Sequence, residues 1–142
     1  MKTYGRSRET QASPEAVWRV WSDVSTWGRW NPNVSEMTLE GPFQTGTTGT
    51  MKTREGRAHR MTLSSVQPGR AFSLQTSVIP LTRFQFNCEV VPDAGGSRIS
   101  QHIGIEGPLG AVAGPMMGER IAKTFEPLLD NLAREAEGAA SR

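Results

Sequence analysis

Between Gly114 and Ala136 the chain reads GPMMGERIAKTFEPLLDNLAREA, and its apolar residues Met117, Ile121, Phe125, Leu128 and Leu132 recur every three or four positions. That spacing predicts a single stripe along a 3.6-residue helix. Gly114 ahead of Pro115 marks the start, because a proline at the first helical position gives up an N–H that has no partner there. At 1.5 Å per residue the helix would reach roughly 33 Å. A stripe that long crosses a whole small domain, and the rest of the chain has to cover it. Pro127 removes the bond to the carbonyl of Lys123, which predicts a bend at that point.

The middle of the chain supplies a cover. From Val34 to Ile105 the apolar period is two, as in Met37-Leu39, His59-Met61-Leu63, Phe72-Leu74-Thr76-Val78, Phe84-Phe86-Cys88-Val90 and Ile99-Gln101-Ile103-Ile105. Met51 alternates with Thr50 and Lys52 in the same way. Gly41-Pro42, Glu55-Gly56, Gln67-Pro68-Gly69-Arg70, Pro80 and Ala94-Gly95-Gly96 separate the runs as turns. One apolar and one polar face per strand predicts an antiparallel sheet with one wet side, and strands followed by a long helix predict an α+β fold. Ahead of them, Thr3 to Ala12 reads as a weakly alternating, arginine-rich first strand. Ser13-Pro14-Glu15 then starts a helix that runs to about Ser22. Gly28 and Pro32 break the chain after it. Trp18 and Trp21 fit core packing, whereas Trp27 and Trp30, expected in a loop, either pack or line a pocket. Trp30 is expected at the rim, half buried.

Composition narrows the function. A chain of 142 residues is expected to be one domain, residues 1–142, with a core of its own. A net charge of +2 is too small to imply nucleic acid, and no aromatic residues interleave with the basic run Lys52, Arg54, Arg57 and Arg60. The single Cys88 allows no intrachain disulfide or cysteine-rich metal site. No HExxH or clustered His/Asp/Glu spacing supports a metal, no cofactor is expected, and GxSxG is absent. No apolar run approaches the length of a membrane span, and Met1-Lys2-Thr3-Tyr4 leads into no signal region. A cytoplasmic protein is the expectation.

The order of strand, short helices carrying SPEAVWRVWSDVSTWGRWNP, hairpin-linked strands and a final helix opening with GPLGAVAGPMMGERI resembles the START-like helix-grip (SRPBCC) superfamily. Within it the chain is most similar to the polyketide cyclase/dehydrase and lipid-transport group. Val17-Trp18, Asp23, Trp27 and Trp30-Asn31-Pro32 stand in the places of that group's recurring N-terminal pattern. The resemblance implies a curved seven-stranded antiparallel sheet wrapped around the C-terminal helix, with two short helices after the first strand. It also implies a ligand cavity between sheet and helix. Such a cavity would hold a small hydrophobic molecule (lipid, polyketide, isoprenoid or aromatic), or serve a polyketide cyclase or dehydratase.

If the stripe faces the sheet, the expected cavity wall comprises Met37, Met51, Met61, Leu74, Phe84, Phe86, Ile103, Met117, Ile121 and Phe125, with Trp27 and Trp30 at the mouth. Flexible thioethers suit a pocket for varied apolar shapes and equally suit an irregular core. Met51 and Met61 can both face inward only if the hairpin between them carries an odd loop or a bulge. Parity then turns Thr53 and His59 inward too. His59 is thus the residue that could move a proton, with Gln101, Thr76 and Cys88 as further polar groups on the same face. Lys52, Arg54, Arg57 and Arg60 form the concentrated basic patch. It reads as a solvated hairpin face, or as a docking surface for an acidic carrier protein or membrane headgroups.

Overall fold

The computed structural model describes residues 2–77 and 79–140. Seven strands, β1 (Thr3–Thr10), β2 (Val34–Leu39), β3 (Thr48–Thr53), β4 (Ala58–Gln67), β5 (Ala71–Thr76), β6 (Arg83–Asp93) and β7 (Gly96–Glu106), form one antiparallel sheet. Their order is β1-β7-β6-β5-β4-β3-β2, so the sheet is open, with β1 and β2 at its edges. Register shifts between Val34 and Glu36 and between Leu63 and Ser65 are the local irregularities that bend such a sheet. The expected inward residues Leu63, Phe72, Leu74, Phe84, Cys88, Val90, Ile99, Ile103 and Ile105 are all buried. Val78 lies outside the described residues.

The alternation of β1 is real but charged. Tyr4, Arg6, Arg8 and Thr10 share its inner side. Arg6 holds Glu119 and Glu126 at 3.2 Å each, Arg8 holds Asp130 at 3.0 Å, and the Thr10 hydroxyl donates to Glu137 at 2.6 Å. Those acids belong to two consecutive helices, α3 (Pro108–Lys123) and α4 (Phe125–Ala140), which together make the long C-terminal element. Arg6 therefore spans the junction between them.

The C-terminal helix begins earlier than its stripe implies. Pro108, preceded by Gly107, takes the first position, and Pro115 lies inside α3. The bend falls at Thr124, three residues before Pro127. A proline ring clashes with the carbonyl four residues back, here Lys123, so the break comes at that carbonyl and Pro127 sits in the first turn of α4, where it is tolerated. The Thr124 amide and hydroxyl both donate to the Ile121 carbonyl, at 2.9 and 2.6 Å, and close the end of α3. Gly118 lets α3 lie close on β1: a Cβ there would run into the Tyr4 ring. Phe125, Leu128, Leu129, Leu132, Ala133 and Ala136 of α4 are all buried.

The first helix, α1 (Pro14–Ser22), is capped as expected, with the Ser13 hydroxyl accepting from the Ala16 amide at 3.1 Å. The following residues do not form an open loop. A 3₁₀ turn (Val24–Thr26) leads into a short helix, α2 (Trp27–Trp30). Trp27 Nε1 donates to the Trp21 carbonyl at 2.9 Å and Trp30 Nε1 to Thr26 Oγ1 at 3.1 Å, so both indoles are held by the turn that carries them. Among the described residues no helix is long and apolar enough to cross a membrane.

Candidate functional site

A cavity of about 760 Å³ lies between the sheet and the C-terminal helices. Its sheet wall is built by Met51 of β3, His59 of β4, Phe72, Leu74 and Thr76 of β5, Phe84, Phe86 and Cys88 of β6 and Gln101 of β7. The opposite wall comes from Met117 and Ile121 of α3 and Phe125 and Leu128 of α4. Trp21, Trp27, Trp30 and Val34 close one end. The walls are mainly aliphatic and aromatic, which is the chemistry of a site that takes apolar molecules.

Strand parity explains the sheet wall. Met51 pairs with His59 and Gly49 with Met61, an unbroken register that leaves Arg54, Glu55 and Gly56 as a three-residue tip. Gly56 adopts φ 89°, the left-handed conformation that such a tip requires. The expected odd loop is therefore present, and Thr53 and His59 face the cavity.

Of the residues expected in the wall, Met51, Leu74, Phe84, Phe86, Gln101, Met117, Ile121, Phe125, Trp27, Trp30 and His59 come together around the space. Met37, Met61 and Ile103 do not. They have the right parity and are buried, but the cavity does not reach them. Trp30 is 4% exposed and forms part of a wall rather than a half-buried rim, because α2 turns its ring inward beside Trp27 at 5.7 Å. Sequence reasoning missed Asn31, Asn33, Arg120, Thr124 and Leu128, and it placed Arg57 on the outer patch although Arg57 also borders the cavity. The polar residues flanking Pro32 and the lone threonine before Phe125 were the only signals for this rim.

The rim is polar and partly latched. Asn33 Nδ2 donates to Thr124 Oγ1 at 3.1 Å, joining the segment before β2 to the helix junction. Arg54 reaches across from the hairpin tip to the carbonyls of Gly28 at 2.8 Å, Asn31 at 3.1 Å and Pro32 at 3.3 Å. Arg60 is engaged on the outer face by Glu40, at 2.6 Å, and holds that carboxyl down to about 2, with the Thr48 hydroxyl assisting. Of the four basic residues of the hairpin, Lys52 and Arg57 are thus left without an ion pair or side-chain hydrogen bond among the described residues.

Inside the cavity, the Thr76 hydroxyl donates to the Arg60 carbonyl at 2.8 Å. Burial pushes the Cys88 thiol up, so it stays protonated and acts as a small apolar group. The side chains of His59 and Gln101 have no hydrogen-bond partner among the described residues. No group of three or more His, Cys, Asp or Glu side chains among them converges as metal ligands do.

Sheet, helix and cavity define a START-like helix-grip protein. The family model described as polyketide cyclase/dehydrase and lipid transport matches residues 1–137, and the chain belongs to that family. Protein NE0264 from Nitrosomonas europaea has a similar fold, with a TM-score of 0.76 at 14% identity over 99% of this chain and 97% of that one. So does a START superfamily protein from Mycobacterium smegmatis, with a TM-score of 0.76 at 16% identity over 96% and 97%. The di-domain ARO/CYC protein StfQ of the steffimycin biosynthetic pathway is similar over 99% of this chain and 52% of its own, with a TM-score of 0.75 at 14% identity. No curated protein matches the sequence.

Proposed function

We propose that this protein binds one small hydrophobic molecule, such as a lipid, polyketide, isoprenoid or aromatic compound, between its sheet and its C-terminal helices. The observation that carries this reading is the cavity itself. Its volume of about 760 Å³ lies within the range of roughly 300–1,000 Å³ typical of small-molecule sites, in a fold whose apolar faces would otherwise close on each other. Met51 and Met117 supply adaptable surface on opposing walls, and Trp27, Trp30, Leu74, Phe84, Phe86, Ile121 and Phe125 supply the rest. Two single substitutions test it. Met51→Trp and Ile121→Trp each fill the space from one wall, so both should abolish binding of 1-anilinonaphthalene-8-sulfonate without lowering the melting temperature. Undiminished binding in both variants refutes the reading.

A second reading is that the same cavity folds and cyclises a polyketide chain, aligning its reacting carbons by shape while His59 moves a proton. It is supported by His59 standing in an apolar wall with both ring nitrogens uncommitted among the described residues. Here His59→Gln should abolish turnover of a poly-β-ketone substrate and leave its binding nearly intact. Substrate would arrive on an acidic carrier protein, for which Lys52 and Arg57 are the available charges of the hairpin. Unchanged turnover removes His59 from the reaction.

A further inference from the structure

We infer that Gln101 is a polar anchor on the sheet wall of the cavity, and that the ligand is an apolar molecule carrying a neutral carbonyl or hydroxyl oxygen. The inference rests on the hydrophobic-binding reading above and narrows it. Gln101 stands on β7 between Ile99 and Ile103, both fully buried, and is paired in register with Cys88 of β6 and Arg6 of β1. It is only 8% exposed, yet its amide makes no hydrogen bond to any described residue. Every fully buried side-chain nitrogen or oxygen among the described residues has a partner. The amide of Gln101 must therefore be the part that remains accessible, and the space it borders is the cavity.

An amide flanked by Ile99, Ile103 and a protonated thiol, with its β1 neighbour Arg6 already tied to Glu119 and Glu126, is costly to leave unpaired, and a wall built only to repel water would carry Leu or Met there. The other polar groups of the wall do not serve the same end. Thr76 has its proton committed to the Arg60 carbonyl, and His59 lies toward the hairpin tip, opposite Met51. The amide offers one acceptor and two donors, so it matches a carbonyl or a hydroxyl equally well. It offers no countercharge to a carboxylate. Anionic groups would instead lie at the rim, where Arg57 and Arg120 carry no ion pair among the described residues.

The test compares three probes of nearly one shape on the full-length protein: benzophenone, benzhydrol and diphenylmethane, each displacing 1-anilinonaphthalene-8-sulfonate. A cavity without a polar anchor favours diphenylmethane, the most apolar of the three. With Gln101 as anchor, wild type should prefer the ketone and the alcohol by roughly tenfold to a hundredfold, the range for a hydrogen bond made rather than left open in a dry site. Gln101→Leu should reverse the order, and Gln101→Met provides a second apolar replacement if branching at this position disturbs folding. Equal affinities in wild type, tighter binding of diphenylmethane, or a ketone preference that survives both substitutions overturns the inference and leaves hydrophobic binding intact. Failure of the sulfonate and all three probes to bind wild type overturns both.

Discussion

Replacing Phe125 by alanine tests the grip of helix on sheet. Phe125 is the first residue of α4, directly after the break at Thr124. It is 1% exposed and meets Phe86 edge-on at 6.2 Å between ring centres. Phe→Ala in a packed core costs about 3–5 kcal/mol, which includes the lost aromatic pair. Because part of the ring borders the cavity rather than packed atoms, the lower end applies, about 3 kcal/mol. Unfolding entropy of about 2.1 cal/mol/K per residue over 142 residues gives about 0.3 kcal/mol/K, so the melting temperature should fall by about 10 °C. Circular dichroism melts of wild type and Phe125→Ala read this directly. A fall of less than about 3 °C would mean that the helix does not use Phe125 to close on the sheet.

Other substitutions examine separate joints of the structure. Gly118→Ala forces a methyl group toward the Tyr4 ring and should cost about 1–3 kcal/mol in urea unfolding. Unchanged stability would show that α3 stands off β1. Arg54→Ala removes three hydrogen bonds between the hairpin tip and the end of α2. It should speed ligand release more than it lowers stability, and an unaltered off-rate in stopped-flow displacement contradicts the latch. Glu40 titrates at about 2 instead of the ordinary 4.5 because it accepts from Arg60, so the folded state binds fewer protons than the unfolded one between those values. Its contribution to stability is complete above about 4.5 and fades as the pH falls toward 2. Arg60→Ala should return Glu40 to the ordinary range in an NMR titration, and a wild-type value near 4.5 would show that the pair does not form.

The sheet was legible because an antiparallel strand with one wet side writes a period of two into the chain. Phe84, Phe86, Cys88 and Val90 face inward as that period requires. β1 was faint for a physical reason: its inner side carries Arg6 and Arg8, which are satisfied by acids more than a hundred residues away. The apolar stripe alone put the helix start too late, at Gly114-Pro115, whereas the resemblance put it at Gly107-Pro108, where α3 begins; the two are equally good local signals, and the choice between them depends on where α3 meets the sheet. Trp27 and Trp30 looked like loop residues because α2 is only four residues long, too short for a period. Parity separated inward from outward but not wall from core. Met61 and Met51 share a face, yet the cavity reaches only Met51. That difference depends on the distance between helix and sheet, which no local pattern records.

Hydrophobic binding in the cavity is tested most directly by native mass spectrometry of the chain purified from its own host, and again after incubation with an organic extract of that host. The account predicts the 15.5 kDa chain carrying one small apolar molecule, released by organic solvent and absent from Ile121→Trp. A bare wild-type chain under both conditions, or an adduct that persists unchanged in Ile121→Trp, would contradict it.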